Sequence, residues 1–128
     1  MASEQQHQNR SRADYELARM ILESGENLHW SVAVAFYSVL HMFDAYLVLG
    51  GIFPAQLTKS HGWRKRQTST YLDKTNRERY IALFAASMEA RYFDSGVDPA
   101  QFSGGRASHY LQQARLFNDY LEGQFPTR

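Results

Sequence analysis

The residues best able to do chemistry stand in one row. His29, Tyr37 and His41 are separated by multiples of four, Asp44 follows three residues later, and Ala33 leaves a small gap in the line. Positions three and four apart share a helix face, so this spacing aligns two imidazoles, a phenol and a carboxylate. Three readings of the row are open. A buried polar stripe must find hydrogen-bond partners, so a satisfied network inside a helical core is one. In a cleft, His41 acts instead as a general base or charge partner, its pKa raised by Asp44 or lowered by burial. With His61 added, His41 and Asp44 also supply three nitrogen and oxygen donors of a type that metals accept. Glu26 and His29 match the Glu-x-x-His half-motif of di-iron bundles, but that site needs a second copy and two further glutamates. The chain has no second copy, and no metal or other cofactor is expected.

A second group of residues is cationic. Residues 59–79 hold Lys59, Arg64, Lys65, Arg66, Lys74, Arg77 and Arg79 against Asp73 and Glu78, a local charge of +5. The whole chain is only +1, with 14 Lys and Arg against 13 Asp and Glu, so the remainder is −4. Trp63 and Tyr71 interleave with the cations and offer rings that stack on bases or on apolar surface. The segment therefore reads either as a solvated helix face with Trp63 docked inward, or as a phosphate-binding surface using Arg64, Lys65 and Arg66. His61 and Arg64 approach the His41 face if their helices pack side by side. One group would then handle a proton while the other stabilises charge on a phosphodiester.

Other chemistries are excluded by what is absent. There is no cysteine among the 128 residues, which removes thiolate nucleophiles, zinc ribbons, iron–sulfur clusters and disulfides, and fits a reducing, cytoplasmic setting. No Gly-rich phosphate loop and no Gly-x-Ser-x-Gly elbow occurs; Ser103-Gly104-Gly105-Arg106 is too short.

The elements that position these residues are helices. Nothing alternates with the period of a strand, and the three prolines (Pro54, Pro99, Pro126) lie outside the helical pattern. Residues 1–11 are polar, lack the apolar core of a secretory signal, and read as a flexible tail, as do 124–128. A single domain over 12–123 is expected. A first helix runs over 12–24, capped by Ser11 and stopped by Gly25. A second starts at Asn27 and ends at Gly50-Gly51, with Leu28, Val32, Ala35, Phe36, Val39, Leu40, Phe43 and Leu47 as its apolar stripe. Residues 32–53 are long enough to span a bilayer, but Ser38, His41 and Asp44 favour a buried core helix and no membrane. Ser60 caps a third helix to Leu72. Thr75 and Glu78 form a capping box for a fourth, whose inward face is Ile81, Phe84, Met88 and Tyr92. A short turn follows at 98–101. The last helix, over 106–121, turns Tyr110, Ala114, Phe117 and Leu121 inward. The fold class is all-α, a four- to five-helix up-and-down bundle.

The run from Trp30 to Leu47, with Tyr37 and His41 inside it, resembles the "a-x-x-Y-Y-A-x-x-H-A-A-x-A-L" core of HEPN domains. Lys59-Ser60-His61-Gly62 resembles that family's "G…K-S-H-x-G" continuation, and Ala90-Arg91-Tyr92 its later Arg-bearing stretch. The resemblance implies a HEPN-like homodimer that binds or processes RNA or nucleotides, as in toxin–antitoxin or antiviral systems. A nucleotidyltransferase-like or other protein partner is also implied. Active members are metal-independent endoribonucleases with an Arg followed four to six residues later by His. Arg91 has no such histidine, and Arg106 and His109 are too close together, so the spacing departs from the active pattern. The residues carried over are His41, His61 and Arg91 for catalysis, and Tyr37 with Arg64, Lys65 and Arg66 for RNA. The other reading is a catalytically inactive helical module that recognises a protein.

Overall fold

The structure, a computed structural model, describes residues 3–52, 60–91 and 102–125. Among them are five helices and no strand: α1 (Glu4–Ser24), α2 (Leu28–Leu49), α3 (His61–Tyr71), α4 (Lys74–Arg91) and α5 (Gly104–Glu122). The all-α bundle expected from the sequence is present. Pro54, Lys59, Tyr92 and the turn expected at 98–101 lie outside the described residues.

The helix α2 is central and packs on α1, α4 and α5, while the short α3 leans on α4. Its apolar stripe is buried from Val32 to Leu47, around Phe36, Val39 and Phe43. Aromatic rings fill the layer between α2 and its neighbours: Tyr80 lies 5.5 Å from both Phe36 and Phe43, and 6.0 Å from Phe117. Alone among the described helices, α2 is long and apolar enough to cross a membrane, and 67% of that stretch is buried inside the bundle.

α1 and α2 form an antiparallel hairpin. Gly25 takes φ 74°, and Asn27 takes φ 54°, so the chain reverses within three residues through left-handed backbone that glycine and asparagine tolerate best. Contacts then nest outward from the turn. Ser31 Oγ donates to the Ala18 carbonyl at 2.8 Å. Ser11 and Ser38 each donate a hydroxyl to the other's backbone carbonyl at 2.7 Å. Further out, His7 meets His41. Small side chains at these positions let the two backbones approach closely.

Several sequence expectations change. Residues 1–11 are not a tail: α1 begins at Glu4, and Ser3 with Gln6 forms a reciprocal capping box. His7, Gln8 and Ser11 are buried, and Ser11 belongs to the hairpin interface rather than to a cap. Asn27 stands at the start of α2 but makes no side-chain cap bond. Asp73, not Thr75, launches α4: its carbonyl accepts from the Arg77 N–H at 2.9 Å, and its carboxylate from Asn76 Nδ2 at 2.8 Å. The inner face of α4 is turned by one position, burying Tyr80, Leu83, Ser87 and Ala90 while Ile81 and Met88 are exposed. At the other end Phe125 packs partly against the core. Gly25 and Ser60 act as read, and the Ser60 hydroxyl accepts from Trp63 N–H at 3.0 Å; α5 starts at Gly104 rather than at 106, with Ser103 as its cap.

Candidate functional site

The polar row on α2 divides among three neighbours. His29, near the start of the helix, is buried beside the Trp30 ring, and burial lowers its pKa below 6.5. Tyr37 faces α4: its hydroxyl accepts from Arg91 Nη1 at 2.7 Å, and the guanidinium sits 5.3 Å from its ring centre. Arg91 Nε also donates to the Ser87 carbonyl at 3.3 Å, which fixes the guanidinium on its own helix.

His41 and Asp44, read as a pair from the sequence, instead take partners from other helices. His41 Nδ1 lies 3.2 Å from His7 Nδ1. Burial holds its pKa below 6.5, against the upward pull of Asp14 and Asp44 and with help from Arg10 and Arg64. Desolvation thus decides the question that spacing left open. Asp44 accepts two bonds from Arg64, from Nε at 3.0 Å and from Nη2 at 2.9 Å. The side chains of Arg64 and Asp44 are only 11% and 2% exposed. This forked, nearly dry pair commits Arg64 to α2. Arg64, read from the sequence as an RNA contact, is here engaged by Asp44, and its fork holds α3 in place with the buried Tyr80 nearby.

His61 does not join His41 and Asp44. The cluster that comes together is His7, His41 and Asp44, whose donor atoms all lie within 4.8 Å of one another. His61 opens α3 and packs against aromatic rings, 5.1 Å from Phe84 and 6.1 Å from Phe36. Its Nδ1 is buried with no hydrogen-bond partner. Burial first, then the positive charges of Arg64 and Arg91, lower its pKa. Beside it, Lys65 Nζ sits 5.0 Å above the Phe84 ring, and Lys65 and Arg66 are exposed. Neither is ion-paired among the described residues. Trp63 packs partly against the core, as the solvated-helix reading requires.

Two participants escaped the sequence: His7, discounted with the polar start, and Phe84 as the ring shared by His61 and Lys65. The nested spacing of the hairpin carries the signal for His7, since a reversal at 25–27 places it opposite His41. No family model, curated protein or solved structure matches this chain.

Proposed function

We propose that this chain is a HEPN-like bundle that binds RNA through the surface built by α2, α3 and α4. The observation that carries the reading is the cation–aromatic cluster of Tyr37–Arg91 and Phe84–Lys65 around a neutral-leaning His61. Guanidinium and ammonium groups over rings suit phosphate neutralisation beside base stacking. Arg66 extends the positive surface on the exposed side of α3. His61 and Arg91 are the groups we assign to cleavage, His61 for the proton and Arg91 for developing phosphoryl charge. His41 is a weaker catalytic choice because His7 already engages it. The setting we favour is a cytoplasmic defence or toxin–antitoxin pair, with a homodimer and a nucleotidyltransferase-like partner.

The test is incubation with bulk RNA and tRNA in EDTA, with His61→Ala, His41→Ala and Arg91→Ala alongside. Expected are salt-sensitive binding by all four proteins, and cleavage that His61→Ala and Arg91→Ala abolish. Absence of both binding and cleavage would overturn the RNA reading. Cleavage surviving those two substitutions would overturn only the assignment of residues. The second reading, an inactive protein-recognition module, is favoured by Leu17 and Met20, one turn apart on α1 and 47% and 57% exposed.

A further inference from the structure

We propose that His7, His41 and Asp44 form a binding site for a single divalent transition-metal ion of the zinc class, joining the start of α1 to the middle of α2. The inference is independent of the RNA reading and concerns a different cluster.

Two imidazoles and one carboxylate are a donor set of borderline softness, suited to Zn(II), Co(II) or Fe(II) rather than to Mg(II) or Ca(II). The Nδ1 atoms of His7 and His41 are 3.2 Å apart. A cation about 2.05 Å from each nitrogen spans that separation at an angle of roughly 100°, close to tetrahedral. The rings now face each other with centres 5.5 Å apart and planes 29° apart. Converging both lone pairs on one ion moves each ring centre by less than about 1 Å. The proton shared along the Nδ1 contact passes to an Nε2, so both ligands remain neutral imidazoles.

Asp44 supplies the third donor. All donor atoms lie within 4.8 Å, so the carboxylate closes by at most about 1.5 Å to reach the roughly 3.3 Å spacing of tetrahedral ligands. The fork of Arg64 places one hydrogen bond on each carboxylate oxygen. It orients the carboxylate much as outer hydrogen bonds orient metal ligands. Asp14, buried on α1 and ion-paired with Arg10 at 3.3 Å, also bears electrostatically on His41. Three protein ligands leave a fourth position for water or another small donor.

The experiment is calorimetric titration of the chelator-treated, full-length protein with Zn(II), paired with visible spectroscopy of the Co(II) form. One equivalent should bind, Co(II) should show the intense d–d bands of four-coordinate nitrogen and oxygen ligation, and Zn(II) should raise the melting temperature. His7→Ala should weaken Zn(II) binding by about 100-fold or more, beyond what removal of a merely orienting residue costs. His29→Ala and His109→Ala should leave it unchanged. If His41→Ala fails to fold, His7→Ala decides, with circular dichroism of its metal-free form as the control. No heat and no visible bands at one equivalent, or binding that survives His7→Ala, would overturn the proposal.

Discussion

Asp44 and Arg64 show how much one residue depends on its partner. Taking either charge out of water is costly, and the forked geometry offsets that cost only while both are present. Asp44→Ala leaves a guanidinium stranded in the core and should destabilise the fold by about 3–5 kcal/mol in urea denaturation. Replacing both with apolar residues of similar volume should restore most of that loss, because no charge then remains to be buried. His29 and His61 act through protons instead. Burial lowers both pKa values in the folded chain, so the unfolded chain binds more protons as pH falls below 6.5. Their contribution is therefore complete above pH 6.5 and is lost as pH falls through the folded values. In metal-free protein, urea midpoints should fall with acidification across that window, and His61→Phe should flatten the fall. His61→Phe also replaces a buried, unpartnered nitrogen among Phe36 and Phe84, so stability at neutral pH should hold while any RNA cleavage disappears.

At the scale of elements, the hairpin of α1 and α2 rests on hydroxyls as much as on hydrocarbon. Ser38→Ala removes the partner of the Ser11 carbonyl and of Asn118 Nδ2, and should cost about 1–3 kcal/mol in thermal unfolding. The double variant with Ser11→Ala should lose less than the sum of the two, since both belong to one network. Ser3→Ala breaks the capping box, with an expected cost of about 1 kcal/mol and faster amide exchange over the first turns of α1. These polar interfaces also explain what could be read in advance. Gly25 and Ser60 mark helix ends through local backbone chemistry, so their meaning survives without tertiary knowledge. The stripe on α2 is legible because it is apolar and long. The start of α1 is not, because its inner face is His7, Gln8 and Ser11, and hydrophobic periodicity is blind to buried groups satisfied by hydrogen bonds. The face of α4 is misjudged for a related reason: Ser87 and Ala90 are buried as small spacers, while the bulkier Ile81 and Met88 point outward. His41 and Asp44 are visible as candidates in the sequence, but their partners, His7 and Arg64, come from other helices and depend on packing.

The whole molecule separates its charge. The exposed cations of α3, Lys65 and Arg66, are sequence neighbours on a short helix, whereas the net charge of the chain is nearly zero. If Lys65 and Arg66 each neutralise a phosphate, replacing both with Ala should weaken RNA binding across sequences. It should also reduce the slope of log affinity against log salt by about 1.4, as expected for two contacts on a single strand. Unchanged affinity would place RNA elsewhere or exclude it. The three-residue reversal at Gly25 and Asn27 has a consequence of another kind for the molecule. Because each pairing is measured outward from that reversal, it works as a gauge that sets which rows of two rods face each other. One residue inserted into α1 just before it would advance the preceding rungs by about 1.5 Å and roughly 100°. His7 would swing away from His41 and Ser11 from Ser38 in the same stroke, so a single change of length at the bend would dismantle contacts far along the rods without altering any residue that makes them.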